Sequence, residues 1–291
     1  WTQNTADFTV SYHLSQAEAD ANSNAIASPY TNVAAYVQEE IFIRIENNNN
    51  ASCYDTSSFL FDVFDQPTAE NVLYDLCDDA TDGDDTNGFV NFDLASITPQ
   101  VLGTQNPLQF NVTYHLNQAD ANANVSALPL NYVNVTANSQ QIVVRVENTD
   151  NTDCFETALI DLVVYELPTT TPVVELFQCD DDADGFVSFN LTEANELISA
   201  NYLNETFAYY TSQADAQNAV NAIVNPIAYT NTDPSAAPDI LFVRTENTDG
   251  CYRVSQLELL VSTTAVPPAF QLYYEVCDDT TIDGDDHNGI A

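Results

Sequence analysis

The sequence predicts an all-β fold of tandem immunoglobulin-like β-sandwich domains with short helical insertions, and three observations carry that expectation. Short runs alternate apolar and polar residues, as in Phe110-Asn-Val-Thr-Tyr114 and in Ile142, Val144 and Val146 around Arg145. Such alternation is the mark of strands with one buried face. Proline, asparagine and aspartate separate the runs at turn-like intervals. The whole pattern returns about every hundred residues, a length that suits a self-contained sandwich and exceeds a solenoid turn. A closed barrel is the alternative architecture.

Three markers define the repeat. Cys-Asp-Asp begins at Cys77, Cys179 and Cys277; Arg-x-Glu-Asn begins at Arg44, Arg145 and Arg244; and Ser/Asn-Gln-Ala-Asp/Glu begins at Ser15, Asn117 and Ser212. They keep one order and one period. Pro-bearing stretches at 66–70, 167–172 and 264–268 separate the copies and are short enough for semi-rigid joints. The expected division is an incomplete repeat at 1–66 that lacks its first strands, complete repeats at 67–168 and 169–266, and the start of a further one at 267–291. Two explanations fit the broken ends: an excerpt from a longer array, or neighbouring chains that complete one another by strand addition.

Within the second copy, Leu73–Cys77 and Phe89–Leu94 read as the first two strands, with Val90, Phe92 and Leu94 on one face. Ile97–Leu102 reads as a helical turn, and its counterpart Thr192–Ala200 as a short helix capped by Thr192. Phe110, Val112, Tyr114 and Leu116 point inward, as do Phe8, Val10, Tyr12 and Leu14 in the first copy, leaving His13 and His115 outward. Asn117-Gln-Ala-Asp120 opens a helix through a variant of the capping box. Gln140–Asn148 is the strongest strand, with Arg145 and Glu147 outward, and Phe155–Tyr165 the last, burying Ala158, Ile160, Leu162 and Val164.

Composition bounds the function. A formal charge of −40 arises from 44 acidic residues against four arginines and no lysine. Nucleic acid and anionic lipid both require a basic footprint, so neither is an expected partner. No apolar run approaches the ~20 residues of a membrane span. Six cysteines, no methionine and an excess of threonine, asparagine and aspartate fit an oxidising, extracellular setting. No nucleophile–histidine–acid set repeats and no phosphate-cradling glycine loop occurs, so no enzyme is expected. Without lysine, Lys–Asn isopeptide cross-links are excluded.

The acidic turns are the first candidate site. Asp180, Asp182 and Asp184 before Gly185 copy the opening of a calcium loop. Position twelve, where a bidentate glutamate belongs, is Leu191. The other copies, Asp78, Asp82, Asp85 and Asn87, and Asp278, Asp283, Asp286 and Asn288, carry insertions. This is not an EF-hand but an elastic turn. Crowded carboxylates repel without a counterion, so calcium is the expected cofactor; the competing reading is a plain solvated turn. The cysteines admit two schemes. Pairing within repeats gives Cys77–Cys154 and Cys179–Cys251, the preferred one; pairing across linkers gives Cys53–Cys77, Cys154–Cys179 and Cys251–Cys277. The pairs Arg44/Glu46, Arg145/Glu147 and Arg244/Glu246 read as outward salt bridges or loop anchors rather than ligand-binding groups. Sequons such as Asn111-Val-Thr113 and Asn204-Glu-Thr206 are expected by chance.

Taken together, the Cys179–Leu191 run, the Tyr114–Ala121 stretch and the Val144–Asn148 strand resemble a repeat of very large secreted Bacteroidota surface proteins. The resemblance implies adhesins or filament proteins exported by the type IX secretion system. It leads to an expected extracellular stalk or filament whose partners are its own or neighbouring repeats, with surface glycan recognition by an adhesive module as the alternative.

Overall fold

The computed structural model describes residues 5–180, 184–234 and 238–263. The chain forms two compact units, Trp1–Val164 and Tyr165–Ala291, so the first two repeats share a unit. Each unit is described by itself.

In the first repeat, β1 (Phe8–His13), α1 (Gln16–Ala21), β2 (Glu39–Asn47) and β3 (Asn50–Phe61) give a three-stranded antiparallel sheet in the order β1-β2-β3. The second repeat holds β4 (Val72–Cys77), β5 (Asn91–Asp93), α2 (Leu94–Leu102), β6 (Phe110–His115), α3 (Gln118–Ala123), β7 (Asn131–Val133), β8 (Ser139–Asn148) and β9 (Phe155–Tyr165). A four-stranded sheet β4-β9-β8-β6 faces the two-stranded β5-β7 ribbon and α2. Between them lies a core that includes Phe92, Leu94, Tyr114, Ile142, Val144, Ile160 and Leu162.

The third repeat repeats this plan with β10 (Val173–Asp180), β11 (Ser188–Phe189), α4 (Asn195–Ile198), β12 (Thr206–Tyr210), α5 (Gln213–Asn218), β13 (Tyr229–Thr230), β14 (Asp239–Glu246) and β15 (Tyr252–Thr263). Its sheet runs β10-β15-β14-β12 and its ribbon β11-β13. The architecture is therefore all-β, tandem sandwiches with short helices, as the alternation predicts. The hydrogen bonding of β10 to β15 is parallel, whereas β14 pairs antiparallel with both β12 and β15.

The capping prediction holds in every repeat. Ser15, Asn117 and Ser212 accept from the main-chain N–H of Glu18, Asp120 and Asp215, and each six-residue helix ends on a left-handed residue, Asn22, Asn124 or Ala219. The helix after the ribbon strand starts earlier than expected: Asp93 caps α2, and Asn190, not Thr192, caps the 3-10 turn before α4.

Several residues read as outward are buried, for one reason. The small helices α1 and α3 pack on the face of the sheet that simple alternation assigns to solvent. His13 and His115 are fully buried beneath this cover, as are Arg44, Arg145 and Glu147. Leu14 and Leu116, read as inward, follow the ends of β1 and β6 and are exposed. The linkers are tied down: Glu70 N–H donates to Val101 O, and Thr171 N–H and Oγ1 donate to Ile198 O and Leu197 O.

Candidate functional site

The site-bearing features lie at the two ends of each repeat. At one end sits the Arg-x-Glu-Asn node. Arg145 donates from Nε to Glu147 Oε2 at 2.8 Å, from Nη1 to Ala121 O at 3.1 Å, and from Nη2 to Thr152 O at 2.7 Å. Its guanidinium lies 3.6 Å from the Phe155 ring centroid. One planar fork thereby joins the end of α3, the β8–β9 turn and the first residue of β9, a task for which a lysine point charge has the wrong geometry. Glu147 also accepts from Asn111 and Asn124.

Arg44 repeats the arrangement with Glu46, Ala19 O, Ala51 O and the Tyr54 ring. Arg244 uses Glu246, Gln217 O and the Tyr252 ring, but its turn before the cysteine is two residues shorter, and Nη2 bonds Glu246 instead of a turn carbonyl. All three arginines anchor loops, and Arg44, Arg145 and Glu147 are buried rather than outward, while Arg244 and Glu246 keep part of their side chains in solvent. The asparagine of the motif has a separate task. Asn148 Nδ2 donates to Asp65 O at 3.0 Å, and Asn247 Nδ2 to Glu166 O at 2.8 Å, so each grips the strand-poor segment entering its repeat.

The buried histidines behave alike. Nδ1 of His13 meets Ser23 O at 2.7 Å and Nδ1 of His115 meets Val125 O at 2.8 Å, while Nε2 lies 2.8 and 2.9 Å from Ser11 Oγ and Thr113 Oγ1. A carbonyl can only accept, so Nδ1 carries a proton in both rings, with Nε2 paired to the hydroxyl. They are structural ties, not bases or surface residues.

At the opposite end lies the acidic turn. Asp78 is buried and its carboxylate accepts from Gly88 N–H at 2.7 Å and Asp79 N–H at 2.9 Å. Asp180 likewise accepts from Gly185 N–H at 2.8 Å. Asp82 accepts from Asp84 N–H and the Asn87 amide, and the Asn87 bond leads the effects that hold its carboxyl below the ordinary aspartate value. Asp84 accepts from Thr86. Gly88 takes φ +77°, and a Cβ there would collide with the Asn138 side chain and main chain.

In the turn where calcium is expected, Asp78, Asp79, Asp82 and Asp84 each accept from at least one main-chain N–H. Among the described residues, no three histidine, cysteine, aspartate or glutamate side chains are gathered to hold a metal. Asp85 lies in the same turn; Asp182, Asp278, Asp283, Asp286 and Asn288 lie outside the described residues.

Sequence reasoning missed the residue that ties this turn to the core. Buried Asn134 accepts from Val90 N–H at 2.9 Å and donates to Gly88 O at 2.8 Å; Asn231 does the same for Val187 N–H and Gly185 O. A signal was present: Tyr-x-Asn occurs at Tyr30, Tyr132 and Tyr229 in the period of the other markers.

The cysteines correct the preferred pairing. Cys77 and Cys251 are disulfide-bonded, whereas Cys53, Cys154 and Cys179 are free thiols; Cys277 lies outside the described residues. Neither Cys77–Cys154 nor Cys179–Cys251 forms, and neither do Cys53–Cys77 or Cys154–Cys179. The parallel register explains the second exclusion. Cys179 sits opposite Ser262, eleven residues along β15 from Cys251. At ~3.3 Å per residue that is roughly 36 Å, against the ~7 Å limit between Cα atoms of a disulfide. The third repeat therefore carries Cys251 at the end where its chain enters and Cys179 at the end where it leaves.

A family model described as the Flavobacterium inter-domain disulphide bond domain matches residues 1–67, 73–168 and 175–267. Among curated proteins, none matches the chain. Similar solved structures include the human desmocollin-1 ectodomain, with 10% identity and TM-score 0.20 over 78% of this chain and 47% of that one. Sidekick-1 immunoglobulin domains 1–4 give 9% identity and TM-score 0.23 over 88% of this chain and 66% of that one. Drosophila N-cadherin EC1-3 gives 10% identity and TM-score 0.23 over 91% of this chain and 92% of that one. The chain thus spans less than two thirds of the length of the first two. No helix among the described residues is long and apolar enough to cross a membrane.

Proposed function

We propose that this chain, which belongs to the family of Flavobacterium inter-domain disulphide bond domains, is part of an extracellular stalk or filament whose successive repeats are joined by disulfides between opposite poles. The observation that carries the reading is the polarity of the third repeat, where the β10–β15 register puts Cys179 at the exit end and Cys251 at the entry end. The second repeat has the same strand order and the same two cysteine positions, with Cys77 closing β4 and Cys154 preceding β9. In such a chain the exit-end cysteine of one repeat bonds the entry-end cysteine of the next. For these residues the rule gives Cys77 with Cys251, the two sulfurs that are oxidised, and gives Cys53, Cys154 and Cys179 no partner between residues 1 and 291.

A cross-link parallel to the linker turns a flexible joint into a two-point attachment and limits bending. The asparagine grips on Asp65 O and Glu166 O support the same mechanical role, because they fix the linker to the repeat it enters. An oxidising exterior is the setting in which such bonds persist. This reading rests on disulfides rather than calcium, since Asp78 closes its turn with main-chain donors. It also leaves Arg44, Arg145 and Arg244 no role in gripping a glycan, as each is committed to its own repeat. Export by the type IX system remains part of the proposal through the resemblance of the repeat.

The test is single-molecule stretching of the 291-residue chain with and without a reductant. The proposal expects reduction to add extensible length between the second and third repeats before either unfolds. An identical force–extension trace in both conditions would overturn it.

A further inference from the structure

In the second repeat a glutamine ties the linker to the end of α2. Gln105 Oε1 accepts from Thr68 N–H at 2.8 Å, while Nε2 donates to Thr68 O at 2.8 Å and to Leu102 O at 3.0 Å. Phe110 starts β6 and is part of the core. The third repeat keeps the receiving groups and changes both side chains. Thr169 follows the linker proline as Thr68 does, and Tyr202 N–H donates to Ser199 O as Gln105 N–H donates to Leu102 O. Tyr202, however, lines a separate hollow with Leu176 and Thr192. Thr169 N–H and C=O are left with no partner among the described residues. Thr206 lies opposite Glu246 as Asn111 lies opposite Glu147, so Glu205 stands where Phe110 does. Its Oε2 is buried with no hydrogen-bond partner among the described residues. A hollow of about 640 Å³ opens here, lined by Thr169, Ser199, Glu205, Glu166, Glu196 and Asp249 among others, with no basic or aromatic residue. An unpaired buried carboxylate oxygen is costly to keep, so the exchange of phenylalanine for glutamate points to a ligand that pairs it.

We propose that this hollow of the third repeat binds a glutamine side chain flanked by a basic residue on another polypeptide. The occupant is read from the second repeat, which fills the same receptor with its own Gln105. A primary carboxamide presents C=O and N–H side by side and so matches both main-chain groups of Thr169. A secondary trans amide sets them on opposite sides, and a guanidinium has nothing to accept with. The neighbouring basic group supplies the donor that Glu205 Oε2 lacks, and Glu166, Glu196 and Asp249 favour its charge. A second copy of this chain is a poor source, because it carries a formal charge of −40 and no lysine.

The experiment titrates a Gly-Gln-Lys peptide, capped by acetyl and N-methylamide groups, into the isotope-labelled 291-residue chain and follows its amide NMR signals. The expected result is saturable shifts at Thr169, Ser199 and Glu205. Replacing the peptide's glutamine by glutamate, or its lysine by norleucine, should each weaken binding about tenfold. Tyr202→Gln closes the receptor from within and Glu205→Phe restores the apolar side chain. Each should abolish the shifts, while the remaining amide signals, which report folding, stay in place. No saturable shift at these amides, equal binding of the altered peptides, or undiminished binding by either variant would overturn the proposal. Free glutamine binding as tightly as the peptide would overturn a polypeptide as the source.

Discussion

Replacing Arg145 with alanine is the sharpest test of how a repeat is held together. The substitution leaves Glu147 buried with only the Asn111 and Asn124 amides, and strips the carbonyls of Ala121 and Thr152 of their guanidinium donor. Removing one partner of a buried pair costs about 3–5 kcal/mol, whereas an exposed pair is worth only ~0–1 kcal/mol. The larger figure is a sizeable fraction of the ~5–15 kcal/mol that stabilises a typical domain. The third repeat supplies an internal comparison. Glu246 keeps 39% of its side chain in solvent against 6% for Glu147, so Arg244→Ala should cost less than Arg145→Ala. Arg145→Lys should recover only part of the loss, because the fork is gone. The assay is urea unfolding of the full chain followed by hydrogen exchange of peptides from β8 and β9. A loss below about 1 kcal/mol for Arg145→Ala would return the node to the class of surface salt bridges and refute the reasoning.

Other outcomes follow from the acidic turn and its ties. Asn134→Ala leaves Val90 N–H without a partner and Gly88 O with only the Asn138 N–H, and should cost about 1–3 kcal/mol, while Asn32→Ala, at the half-buried equivalent in the first repeat whose amide bonds only Ala34 O, should cost less; equal effects in chemical unfolding would contradict this. Gly88→Ala sets a Cβ against Asn138 in a left-handed backbone and should lower the melting temperature of the second repeat, whereas Gly103→Ala meets no neighbouring atom and should be milder. Chelation should leave the melt of the second repeat unchanged, and a calcium-dependent rise would show that its turn binds the ion after all. The carboxyls of Asp82, Glu39 and Asp215 are held below their ordinary values, with the bonds from Asn87, Tyr30 and Ser212 leading in turn. The folded chain therefore binds fewer protons there than the unfolded chain, and the stability they add is present above the unfolded pKa and is lost as pH falls through the folded one. Carbon-detected NMR titration should place their midpoints below those of a denatured control.

Much of this fold is written in local pattern. Period-two alternation located β6, β8 and β9 because one face of each meets an apolar core. The Ser/Asn-Gln-Ala-Asp/Glu stretches located the capped helices because their signal is confined to four residues. What alternation cannot reveal is what covers the second face of a sheet. His115, Arg145 and Glu147 alternate as solvent-facing residues do, and only the packing of α3 over them turns them into buried ties. The acidic turn is ambiguous for a related reason: carboxylate spacing alone does not distinguish ligands for a cation from acceptors for main-chain N–H groups, and only the structure shows that Asp78 accepts from Gly88 and Asp79 N–H. The cysteine pairing failed on strand direction. Two cysteines in one repeat look adjacent in a sandwich until the first and last strands prove parallel, which sends Cys179 and Cys251 to opposite ends.

The central claim, that repeats are joined pole to pole, is tested most directly by mass mapping of proteolytic peptides from the non-reduced 291-residue chain. The account predicts a peptide pair joining Cys77 to Cys251, with Cys53, Cys154 and Cys179 recovered as alkylated thiols. Recovery of Cys77–Cys154 or Cys179–Cys251 would contradict it.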